Sequence, residues 1–148
     1  MKSILLLTIL TITSVSWGQI ESSKQAEVRA VVDQLFDGMR LGDSSLVRNI
    51  FHPDARLYTS FETAGEYQLH SGSIEDFVNA VGTPHDKIWD ERISNVVIQV
   101  DDALAQVWMD YSFYLADEFS HTGVNAMQLV QLDGRWQIIH LLDTRRQD

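Results

Sequence analysis

Polar side chains embedded in the apolar C-terminal half of the sequence have the chemistry to meet a small molecule. His121 and His140 each stand within runs of β-branched and aromatic residues, and a neutral imidazole beside an apolar cavity can serve as acid or base close to neutral pH. Each can equally satisfy a strand-end hydrogen bond. Asp110 lies in the middle of the run 103–116, where a carboxylate is uncommon. Turned toward a cavity its pKa would rise and it would be able to shuttle a proton; turned toward water it is a solvated charge. Asn125 carries an amide that needs partners when buried, and a ligand or an ordered water supplies them. Tyr58, Tyr111 and Tyr114 offer hydroxyls on apolar bodies, although aromatic residues on strands more often simply pack. In an enzyme, His121 and Asp110 are the catalytic candidates; as ligand contacts, the candidates are Tyr58, Tyr111, Asn125 and His140.

Other chemistries are not encoded. His52, Asp54, His70, His85 and Asp86 are scattered, without the His-x-x-x-His or His-Glu-x-x-His spacing that sets two ligands on one helical face, so no metal is expected. No Gly-rich phosphate loop, nucleophile elbow or dinucleotide fingerprint is present, and no cofactor is expected. Cysteine is absent, which removes disulfides and thiolate chemistry. The net charge of −10, with no dense cluster of Lys or Arg, speaks against nucleic acid and against an anionic membrane surface.

Elements to position these residues follow from the pattern. Apolar residues make up 45% of the 148 and charged residues 22%, a globular balance for one domain. Ala26, Val28, Ala30, Val31, Leu35, Phe36 and Met39 fall largely at helical spacing, with Ser22 or Ser23 as cap and Gly42 as stop. Asp43-Ser44-Ser45 caps a second, short helix reaching about Ile50, before Pro53. Arg56 to Thr59 and Glu66 to Leu69 read as short strands around Gly65. Ser73-Ile74-Glu75-Asp76 opens a third helix ending near Gly82. Four long strand-like runs follow, at about 88–100, 103–116, 119–132 and 135–145, separated by Asp101-Asp102, Asp117-Glu118 and Asp133-Gly134. Helices followed by an antiparallel meander predict an α+β fold.

Counting outward from a two-residue turn at Asp133-Gly134 puts Asn125, Met127 and Leu129 on one face with Ile138, His140 and Leu142. Val124, Ala126, Val130, Ile139 and Leu141 take the other. In the run 103–116, Ala105, Val107, Met109, Tyr111 and Phe113 look like core; which of its faces lies beside His140 depends on a bulge near Asp117-Glu118. Helices cover one face only, so an apolar second face predicts a homodimer through the sheet.

At the N-terminus, Met1-Lys2-Ser3 is positively charged, Ile4 to Val15 is almost wholly apolar or Thr, and Ser16-Trp17-Gly18 sets small residues at a cleavage site. This is the layout of a signal peptide over 1–18, cleaved before Gln19. The remaining 19–148 is a single domain, periplasmic or secreted and free of the membrane after cleavage.

The layout, together with Phe51-His52-Pro53-Asp54-Ala55, the hairpin Asp133-Gly134-Arg135-Trp136-Gln137-Ile138 and the terminal Asp143-Thr144-Arg145, resembles the nuclear transport factor 2-like superfamily over residues 24–146. Tyr111-x-Phe113-Tyr114, followed by His121-Thr122-Gly123-Val124-Asn125, is similar to its small exported SnoaL-like, or lumazine-binding, group. The resemblance implies a cone in which three N-terminal helices pack on a curved antiparallel sheet of four long strands plus short N-terminal ones, enclosing a hydrophobic cavity and commonly pairing through the sheet. It implies a small, partly hydrophobic molecule as partner. Binders, interaction modules and enzymes (isomerases, dehydratases, epoxide hydrolases and polyketide cyclases) share the scaffold, so the fold alone names no reaction. The position matching the isomerase base is Thr59, which cannot act as a carboxylate.

Overall fold

A computed structural model describes residues 17–147, with side chains from Ser23. The expected signal peptide therefore falls almost wholly outside the described residues. Helix α1 (Trp17–Leu41) starts earlier than its capping serines suggested. Its buried residues Val28, Val32, Leu35, Phe36 and Met39 recur at helical spacing on one stripe. Gly42 ends it at φ 65°, a left-handed conformation that glycine takes without penalty. Asp43 then caps α2 (Ser44–Ile50), accepting hydrogen bonds from the amides of Ser45 at 2.9 Å and Leu46 at 3.1 Å.

Strands β1 (Phe51–Thr63) and β2 (Glu66–Gly72) form a hairpin, and α3 (Ile74–Gly82) follows with Ser73 as N-cap. The meander is β3 (Trp89–Asp101), β4 (Leu104–Leu115), β5 (Glu118–Leu132) and β6 (Arg135–Arg145). The sheet has six strands in the order β2-β1-β6-β5-β4-β3. Two features differ from expectation. Strand β1 spans 13 residues rather than a short piece, absorbing Pro53 in a break of register against β6 between Phe51 and Arg56, the kind of place where a strand tolerates proline. It also pairs with β6 in parallel, so the sheet is mixed rather than purely antiparallel.

Three irregularities curve the sheet and decide what faces inward. In β3, Asn95 sits at φ 50° where the register with β4 shifts between Ser94 and Val97. In β5, Ser120 is an extra residue, so that Tyr114 pairs with Phe119 but Phe113 with His121. In β6, Ile139 is extra: Leu129 pairs with Ile138, whereas Gln128 pairs with His140. Each bulge bends the strand and flips the alternation beyond it.

Closure is asymmetric. At one end Val28, Val32, Val107, Leu129 and Ile138 are fully buried between α1 and the sheet, and Glu27 accepts a hydrogen bond from the indole of Trp136 at 3.1 Å. Toward the other end of α1 the packing opens. On the outer face, Val97, Trp108, Ala126 and Leu142 form a row of cross-strand partners over β3 to β6, and Trp108 is 57% exposed.

Candidate functional site

The opening under the later half of α1 is a cavity of about 560 Å³. Leu35, Phe36 and Met39 of α1, Phe77 of α3, and Trp89, Phe113 and Leu141 of the sheet give it apolar walls. Glu91, Tyr111, His121, Asn125, Asp143 and Arg145 reach it from four neighbouring strands. This size and mixture are those of a small-molecule pocket.

The bulge at Ser120 assembles the polar wall. Without it, Phe113 would face Ser120, and the odd-numbered residues of β5 would point away from Tyr111. With it, Phe113, Tyr111 and Met109 lie opposite His121, Gly123 and Asn125, all turned inward. His121 is 7% exposed and Asn125 3%. The Ser120 hydroxyl lies 3.0 Å from Nδ1 of His121, whose ring packs beside Phe113 at 5.0 Å between centroids and edge-on to Tyr111 at 5.7 Å. Burial, reinforced by the positive charge of Arg145, pulls the His121 pKa down to about 4, leaving a neutral imidazole.

The second bulge exchanges two predicted residues for two others. Counting without Ile139 as an extra residue placed His140 and Leu142 inward; the structure turns them outward and brings Leu141 and Asp143 inside. His140 packs instead against the ring of Tyr58, 5.6 Å away. Tyr58 still borders the cavity. Asp143 is 9% exposed. Its Oδ1 accepts a hydrogen bond of 2.5 Å from the Thr59 hydroxyl, and its Oδ2 lies 3.2 Å from the Tyr111 hydroxyl, which also donates to the Thr144 carbonyl at 3.0 Å. Thr59 and Asp143 are register partners on parallel strands. A carboxylate thus stands one strand away from Thr59. Burial, with the charges of Asp143 and Glu91 adding to it, holds the Tyr111 phenol well above its usual pKa, so it remains a donor.

Glu91, not among the residues singled out from sequence, completes the wall. It is half-buried, and its Oε1 accepts a hydrogen bond from Nδ2 of Asn125 at 2.7 Å. Burial drives its pKa up to about 7; the Asn125 hydrogen bond and Arg145 work against the rise, and the charge of Asp143 works with it. The signal for Glu91 was Asn125 itself, a buried amide in need of a partner. Asp143 was hidden by the bulge.

Asp110 takes the other face. Its Oδ2 accepts a hydrogen bond from Nδ2 of Asn95 at 2.7 Å, fastening the bulge of β3 from outside. It does not line the cavity. Asp110→Ala, which removes the acceptor, should therefore lower stability by about 1 kcal/mol, the usual worth of such a bond, and leave ligand binding unchanged when chemical denaturation and titration are compared. Loss of binding in a folded Asp110→Ala variant would return this carboxylate to the site.

No curated protein sequence matches the chain significantly. Solved structures match its fold. A nuclear transport factor 2-like protein of unknown function from Shewanella baltica superposes with a TM-score of 0.68 at 12% identity, over 91% of this chain and 100% of its own. A protein of unknown function from Mycobacterium tuberculosis gives a TM-score of 0.74 at 11% identity, over 90% and 78%. A structure from Xanthomonas campestris described as a "Putative calcium/calmodulin dependent protein kinase II association domain" gives 0.62 at 19% identity, over 99% of each. Residues 23–141, most of the chain and all of the cavity's polar wall except Asp143 and Arg145, match the family described as Putative lumazine-binding, and the chain belongs to that family, with the fold of nuclear transport factor 2-like proteins.

Proposed function

We propose that this protein is exported and captures a small, partly hydrophobic molecule in its cavity. The observation that carries this reading is the space of about 560 Å³ left between α1, α3 and the sheet, with aromatic walls and one polar wall. The space opens partly to solvent, so a molecule can enter it and be held between the walls. The family description makes lumazine, a flat bicyclic heteroaromatic, the first probe to try. Its rings can pack on Trp89 and Phe113, and its N–H groups can donate to the Asn125 carbonyl oxygen and to Glu91.

Two measurements test the proposal. Mass spectrometry of molecules released from natively purified protein should find a bound small molecule, and lumazine titration should change Trp89 emission, with the change lost in Trp89→Phe. An empty protein that binds neither lumazine nor other small aromatics sinks the reading. An acid–base enzyme is the second reading. It rests on the Glu91 carboxyl, which titrates near pH 7 inside the cavity, rather than on His121 or Asp110. The exposed row through Val97 and Trp108 supports a second copy docked on the outer face.

A further inference from the structure

Apart from the exposed Arg145 guanidinium and the second ring nitrogen of His121, the donors of the polar wall are spent within the protein, and acceptors are left to a ligand. The Thr59 hydroxyl is engaged by Asp143, and the Tyr111 hydroxyl by Thr144 and Asp143. Asn125 gives Nδ2 to Glu91, so its carbonyl oxygen is left facing the pocket. Among the described residues only Asn125 hydrogen-bonds the Glu91 carboxyl, which leaves Oε2 for an incoming group. Around these acceptors stand aromatic faces: Trp89 and Phe113 meet edge-on at 6.3 Å between centroids, and His121 flanks Phe113. Carboxylates framed by aromatic rings are the chemistry that holds organic cations.

On the reading of this cavity as a ligand site, we propose that its ligand carries a protonated amine, set against Glu91 and the Asn125 carbonyl and packed on the rings of Phe113 and Trp89. Charges on the surrounding elements agree. Asp143 and Arg145 of β6 both act on Glu91; His121 of β5 is neutral and Tyr111 of β4 is protonated. Across the pocket stand Asp76 of α3 and His70 of β2, while among the described residues α1 contributes Leu35, Phe36 and Met39. Among the described residues Arg145 is the one Lys or Arg on the lining, and it is exposed, where solvent screens its repulsion. A cationic ligand needs Glu91 ionised, so it expels the Glu91 proton on binding. Its affinity rises with pH up to neutrality and then levels.

Three indoles of similar shape test this on the intact protein: tryptamine as the cation, 3-ethylindole as the neutral form and indole-3-propionate as the anion. At pH 8 tryptamine should bind about tenfold or more tightly than 3-ethylindole, the worth of one charge-assisted hydrogen bond. Toward pH 5.5 that advantage should shrink, with proton release seen by calorimetry in buffers of different ionisation enthalpy. Glu91→Gln should remove the advantage of tryptamine over 3-ethylindole and its pH dependence. Equal binding of the three indoles, or a pH-independent preference in the wild-type protein, overturns the amine while leaving the cavity's role intact. Failure of all three to bind also overturns it, and the molecules released from natively purified protein then decide whether the ligand-site reading falls too.

Discussion

Replacing Gly123 by alanine should destabilise the protein by about 3 kcal/mol or more, the upper range for an overpacked core position. For a domain of this size that is a fall in melting temperature of about 10 °C. A Cβ on Gly123 would lie 1.8 Å from the Thr144 carbonyl oxygen and 2.6 Å from Cε1 of Tyr111. The first is backbone and cannot swing aside. Gly123 is bare because the Tyr111 ring must cross β5 to place its hydroxyl on Asp143 and Thr144 of β6. The same substitution should therefore also cost the cavity its polar wall. Gly72→Ala is the control: its Cβ would find Leu57 Cβ at 3.4 Å, an ordinary contact, and its melting temperature should move by no more than a degree or two. Equal effects of the two variants in thermal denaturation would refute the crossing of Tyr111 over β5 as the reason for glycine.

Gly123 also marks the boundary between what the sequence makes legible and what it conceals. Elements governed by neighbours in the chain are readable: Asp43 and Ser73 cap their helices, Gly42 stops α1, and Asp133-Gly134 makes the β5–β6 turn with both residues at positive φ. These signals are local, each resting on a hydrogen bond or a dihedral angle that one or two residue types satisfy. Facing is another matter. Two single-residue bulges, at Ser120 and Ile139, decide whether His121, His140 and Asp143 point in or out, and neither residue type announces a bulge. Strict alternation from the Asp133-Gly134 turn is right as far as Ile138 and wrong from His140 onward. The parallel pairing of β1 with β6 is invisible for a different reason. Its partners Thr59 and Asp143 are 84 residues apart, and the contact depends on how the whole chain closes. Asp143 came from these concealed parts, whereas Glu91 on β3 was signalled only through the need of Asn125 for a partner, which is why His121, Tyr111 and Asn125 were found from sequence and Glu91 and Asp143 were not.

The second large effect is a cancellation that two single substitutions should expose. Glu91 has its pKa raised from 4.5 to about 7, so between those values the folded protein binds the extra proton and stability falls as pH rises. His121 has its pKa lowered from 6.5 to about 4. Between those values the unfolded chain binds the extra proton, and stability rises with pH. Each shift is worth up to about 3 kcal/mol across its window, with opposite signs over pH 4.5 to 6.5. The wild-type contribution from this pair should be nearly flat there. Removing one partner leaves the other uncompensated: Glu91→Gln should gain stability relative to wild type as pH rises from 4.5 to 7, whereas His121→Asn should lose it over pH 4 to 6.5. Urea denaturation of the three proteins at half-unit pH intervals gives the slopes directly. Parallel profiles for wild type and both variants would mean that neither group is desolvated as the cavity requires, because transfer from water into that wall is the largest cause separating their folded and unfolded pKa values.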